Sequence, residues 1–184
     1  MAKVLVPLAD GFEELEAVTI IDLLRRAGIE VNVAALQGGT VTGSHGITIT
    51  ADNSLDQALH GEYDMVVLPG GQPGADNLEA DSRLCELLRK MANSGKFTAA
   101  ICAAPKVLAA AGLLENKTAT SFPGYLDRMD IAGMNYSDKA VVRDGKVLTS
   151  RGPGTAMDFA LTLIEQLAGP EKRRDVESRL QRPK

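Results

Sequence analysis

The stretch FTAAICAAP, Phe97 to Pro105, sets the reading of this chain. Phe97 to Ile101 is a short, mostly apolar run, the pattern of a strand buried on both faces of a parallel sheet. Pro105 suits the first turn of a helix, where its missing N–H would have had no partner. Cys102 therefore stands where the chain turns sharply from strand to helix, the geometry of a nucleophile elbow.

The same alternation extends in both directions. Upstream, DMVVLP (Asp64–Pro69) is a second buried strand, followed by the glycine-rich loop Gly70 to Gly74. The N-terminus predicts a strand over 3–8, a turn at Asp10-Gly11, a helix over 13–27 stopped by Gly28, and a strand over 30–36. Short strands around Val41 and over 47–50 form a hairpin about Gly43 to Gly46, and Ser54 caps a short helix ending at His60-Gly61. Asp81 or Ser82 caps a helix reaching about Asn93. Downstream of Pro105 come the rest of that helix to Ala111, a strand over 118–122, and strands 141–143 and 147–150 around Asp144-Gly145. A last long helix covers 155–168. Strands and helices alternating at this spacing predict an α/β fold: a doubly wound, mostly parallel sheet with helices on both faces and a small β-hairpin. The 184 residues read as a single domain, with 170–184 a terminal helix or tail in which Val176 and Leu180 share a face.

Composition narrows the chemistry. A net charge of -4 and a pI near 5.2 argue against direct nucleic-acid binding. Two cysteines and two histidines exclude a disulfide scaffold and a zinc site built from those residues. No apolar run approaches the roughly 20 residues of a membrane span, nothing at the N-terminus reads as a signal peptide, and the expected compartment is the cytoplasm, where both thiols stay reduced.

Ligands of open α/β sheets sit beyond the carboxyl ends of the strands. The loop after the first strand holds Asp10, Glu13, Glu14 and Glu16, too acidic for a phosphate cradle. The loop Gly70 to Gly74 lacks both the dinucleotide fingerprint and a Walker lysine. Cys102 is the candidate nucleophile, its thiol expected to be acidified by the helix N-terminus; a buried structural cysteine is the alternative. Cys85 lies inside a helix and is expected to be inert. Glu16 heads the apolar stripe Ile20, Leu23, Ala27, so that burial would raise its pKa and let it shuttle a proton. A helix-start acid stabilised by the dipole is the alternative for Glu16 and explains Glu13 and Glu14 well. Neither His45 nor His60 follows a strand, so a Cys-His hydrolytic pair is not expected.

The segments GFEELEAV, RRAGIEV, YDMVVLPGG, AAICAAP and LTSRGPGTAMDFAL resemble the DJ-1/ThiJ/PfpI superfamily, in its DJ-1 and YajL-like branch, in order and spacing over nearly the whole chain. The resemblance implies a flavodoxin-like fold and a homodimer. It makes Cys102 the reactive, oxidation-sensitive cysteine, Glu16 its protonated partner, and the backbone N–H groups of Gly71 and Ala103 an oxyanion site. Two departures stand out. Phe122 occupies a place where several members have histidine, and Ala103 stands where the protease-like branch has histidine, so a peptidase is not expected. Arg26 and His45 would make up the family's anion pocket, with His45 in the place of an arginine. The implied activity is cofactor-free and metal-free detoxification of 2-oxoaldehydes under oxidative and carbonyl stress. It would act as a glutathione-independent glyoxalase, or as a deglycase on glycated protein or nucleotide adducts. A non-enzymatic redox sensor or chaperone working through oxidation of Cys102 is the alternative.

Overall fold

A computed structural model describes residues 1–182; Pro183 and Lys184, the end of the expected tail, lie outside the described residues. Seven strands form the main sheet: β1 (Lys3–Leu8), β2 (Glu30–Ala35), β5 (Asn53–Ser54), β6 (Met65–Leu68), β7 (Phe97–Ile101), β10 (Val141–Asp144) and β11 (Val147–Ser150). Their order is β10-β11-β7-β6-β1-β2-β5, all neighbours parallel except β10 on β11. The order reverses at β1, which lies between β2 and β6, and that reversal opens a crevice at the strands' carboxyl ends. This is the expected flavodoxin-like architecture. The hairpin of β3 (Thr40–Thr42) and β4 (Thr48–Thr50) is antiparallel, and β8 (Thr118–Ala119) pairs with β9 (Asn135–Tyr136) apart from the main sheet.

Period-two alternation divides the core. Val4, Val6 and Leu8 of β1 point to one face with Met65, Val67, Ala99 and Ile101, under α1 (Glu14–Arg26) and α6 (Ala156–Ser178). Leu5, Val66, Leu68 and Ala100 point to the other. There they meet α2 (Leu55–Ala58), α3 (Gly74–Ala80), α4 (Ser82–Asn93) and α5 (Pro105–Ala110). Strands this apolar have no solvent face, which is why the sheet needs helices on both sides.

Four elements differ from expectation, two of them the short strands β5 and β9, which have no counterpart in it. The strand expected over 118–122 stops at Ala119, because Thr149 Oγ1 takes the Thr120 N–H at 2.9 Å and the Cys102 carbonyl takes the Phe122 N–H at 2.9 Å. Helix α3 was hidden behind the Gly-rich loop; Ala75 and Leu78 bury its inner face. Where a terminal helix or tail was expected, α6 continues past a kink at Gly169 to Ser178, with Val176 buried and Leu180 packed on the same cluster. Val176→Ala should therefore lower the unfolding free energy by roughly 2 kcal/mol, the scale of a truncated core side chain. An unchanged urea midpoint would mean that the tail does not dock.

Candidate active site

Three segments converge at the carboxyl ends of β1, β6 and β7. The start of α1 delivers Glu16, the Gly70-Gly71 turn follows β6, and Cys102 follows β7. Cys102 has a left-handed φ of 64°, which costs a non-glycine residue of the order of 1 kcal/mol or more. The backbone on both sides enforces it: the Cys102 N–H donates to Ser150 O at 3.0 Å, and its carbonyl accepts the Phe122 N–H. Pro105 then opens α5.

Two glycines let the segments meet. A Cβ on Gly70 would lie 2.7 Å from Cys102 Cβ, and one on Gly71 would lie 2.3 Å from the Glu13 nitrogen. Gly71 also has a φ of +92°, the region glycine favours. The N–H groups of Gly71 and Ala103 face the Cys102 sulfur. Neither is spent on a backbone acceptor among the described residues.

Glu16 is fully buried. Its Oε2 accepts the Gly70 N–H at 2.8 Å, while Oε1 has no partner meeting full hydrogen-bond geometry. The Cys102 thiol is the carboxyl's other polar neighbour. Burial raises the Glu16 pKa to about 7, against the pull of the Gly70 N–H. The Cys102 thiol moves the other way from expectation. Burial first, and then the Glu16 carboxylate beside it, push the thiol up to about 12, outweighing the Ala103 and Gly71 N–H groups. Two buried acids side by side resist losing both protons. The pair therefore holds one proton tightly, and Glu16 is the group that exchanges near neutrality.

The structure thus brings Cys102, Glu16, Gly71 and Ala103 together. It does not bring Arg26 to His45. Arg26 ends α1, its Nε donating to Asp22 at 2.6 Å. His45 pairs with Glu14 at the other end, with Nδ1 2.9 Å from Oε2. The 13 residues of α1 put these ends about 18 Å apart, so one chain cannot form the expected anion pocket from them. Burial disfavours the Glu14 carboxylate, but hydrogen bonds from the His45 side chain and the His45 and Ile47 N–H groups hold it down at about 2. The same contact raises the pKa of His45. Cys85 is buried in α4, its thiol pKa raised by burial.

Sequence reading missed the Gly70 N–H that seats Glu16; the paired glycines after β6 were the available signal. A cavity of about 540 Å³ is walled by Phe122, Pro123, Arg151 and Pro153, and its Phe122 is the residue whose N–H donates to the Cys102 carbonyl. The exposed Phe122 ring leans on Gly152, its Cδ2 about 3.2 Å from where a Cβ there would sit.

The DJ-1/PfpI family model matches residues 2–166. The chain belongs to the DJ-1/PfpI family. It is 46% identical over 173 residues to protein dj-1beta of Drosophila melanogaster, covering 94% of this chain and 92% of the fly protein. The crystal structure of Drosophila melanogaster DJ-1beta superposes with a TM-score of 0.94 at 43% identity, covering 100% of this chain and 99% of the fly chain. A Pyrococcus abyssi protein named as a deglycase is 38% identical over 152 residues, 83% of this chain and 91% of that protein.

The raised Glu16 pKa links to stability. Between the ordinary value of 4.5 and about 7 the unfolded chain ionises this group while the fold keeps it protonated, so stability falls as pH rises through that window and levels off above it. Glu16→Gln, which keeps the shape and the Gly70 hydrogen bond, should be more stable than wild type by up to about 3 kcal/mol at pH 8. The gap should shrink towards pH 4 in paired denaturant titrations. A gap independent of pH would show that Glu16 does not bury a charge.

Proposed function

We propose that this family member is a cofactor-free enzyme that converts reactive 2-oxoaldehydes, free or as early glycated adducts, into 2-hydroxy acids in the cytoplasm. The observation that carries this reading is a partly exposed cysteine on an elbow, with two free backbone donors and a buried carboxyl of near-neutral pKa at its sulfur. The relative named as a deglycase supports it.

Glu16 takes the thiol proton as Cys102 Sγ bonds to the aldehyde carbon. The carbonyl electron pair moves to oxygen, where the Gly71 and Ala103 N–H groups stabilise the negative charge and a proton from Glu16 completes a hemithioacetal. Glu16 then moves two protons: the hydrogen on that carbon goes, as a proton, to the neighbouring carbonyl carbon, and the hemithioacetal hydroxyl proton goes to the neighbouring carbonyl oxygen. The electron pair so moved turns the hemithioacetal into a thioester and the neighbouring ketone into an alcohol. Water cleaves the thioester, releasing the 2-hydroxy acid and restoring the thiol. Substrate and one water account for all atoms, and no external oxidant is consumed. With no imidazole at the sulfur, every proton passes through one carboxyl.

The family resemblance to a dimer has support on the surface. Leu15, Val18 and Ile47, each about half exposed, border one apolar hollow formed by α1 and the β3–β4 hairpin. We assign this face to a second copy of the chain. Val18→Glu should shift sedimentation to the monomer; an unchanged dimer would place the interface elsewhere.

The activity is tested by glutathione-free turnover of methylglyoxal. Cys102→Ser should abolish it, and Glu16→Gln should reduce it at least about 10²-fold, the scale of a lost acid–base group. Wild-type kcat/KM should rise with pH through about 7 as Glu16 becomes the free base, and Glu16→Gln should lose that limb. Full activity in Cys102→Ser overturns the mechanism. No turnover in wild type, together with peroxide adding two oxygens to Cys102 and none to Cys85, would assign the site to redox sensing instead.

A further inference from the structure

Four side chains that the mechanism leaves unused form a continuous chain beside the site. Lys106, in α5 four residues after Cys102, pairs with Asp76 and, at 2.9 Å, with Glu79. Its side chain is only 13% exposed. Asp76 Oδ2 accepts the Gln72 amide nitrogen at 2.7 Å, and the Gln72 amide oxygen accepts the Tyr125 hydroxyl at 3.0 Å. With the amide in this orientation, every polar atom in the run has a complementary partner.

The placement of the chain is what matters. Gln72 directly follows Gly71, whose N–H faces the sulfur. Tyr125 donates its N–H to Phe122 O at 3.3 Å, and Phe122 in turn donates its N–H to the Cys102 carbonyl. The Gln72–Tyr125 bond therefore joins two loops that both touch Cys102. Gly70 and Gly71 carry no side chain, so Gln72, which is exposed, is the first long side chain of the loop that follows β6.

We propose that the Gln72–Tyr125 hydrogen bond is a size-selecting bar across the approach to Cys102, with Asp76 and Lys106 as positioning residues that hold Gln72 in place. On the reading of the site given above, the bar favours a small free 2-oxoaldehyde over a bulky glycated adduct. The bar itself does not depend on that reading, because it acts on any electrophile that reaches the sulfur.

The test compares alkylation of Cys102 by N-ethylmaleimide and by N-pyrenylmaleimide, which share one reactive group and differ in bulk. Rates are followed on the Cys102 peptide by mass spectrometry, with the Cys85 peptide reporting any loss of fold. In Tyr125→Phe, which removes only the hydroxyl, and in Gln72→Ala, the bulky-to-small rate ratio at Cys102 should rise about fivefold, as expected when one hydrogen bond stops holding the loops together. Cys85 should stay unlabelled. A ratio that stays at the wild-type value in either folded variant overturns the proposal. No turnover is read, so a chain inactive on methylglyoxal would still test the bar, and a failed bar would leave the methylglyoxal result standing.

Discussion

The contact on which the site depends is the hydrogen bond from the Gly70 N–H to the buried Glu16 carboxyl. It ties α1 to the turn after β6, and so joins two of the three segments that meet at the sulfur. Its energetics are awkward. A fully buried carboxyl with a single well-formed partner is costly to ionise, and the thiol beside it is costly to ionise as well. Neither group is at ease with its charge, so the pair keeps one proton on the sulfur and exchanges the other at the carboxyl near neutrality.

The first turn of α1 shows how local this control is. Glu14 and Glu16 are two residues apart and both buried, yet one is held near 2 and the other near 7. Glu14 points under the hairpin, where His45 and two backbone N–H groups surround it. Glu16 points towards the sheet and finds one N–H and a thiol. Desolvation is common to both carboxyls; the supply of donors separates them.

Much of this was legible in the chain. The buried strands over 64–69 and 97–101, the proline at 105 and the stripe led by Glu16 are local patterns, and local patterns announce the sheet, the elbow and the buried acid. What stayed hidden depends on distant partners. Burial outweighs the helix N-terminus at Cys102 because α5 is only six residues long and the sulfur lies among other segments. The separation of Arg26 from His45 could have been measured on the helix itself, but only once His45 was known to dock at its first turn. The chain from Tyr125 to Lys106 joins residues up to 53 apart in sequence and has no periodic signature.

The two donors aimed at the sulfur belong to the backbone. No single side-chain exchange removes an N–H group except to proline, and at position 71 even a methyl would collide with the chain at Glu13. The charge-stabilising part of the pocket is therefore nearly closed to gradual change, whereas the rim, made of Gln72, Phe122 and Tyr125, is open to it. Descendants of this protein can be expected to diversify in what they admit long before they alter how they react with it.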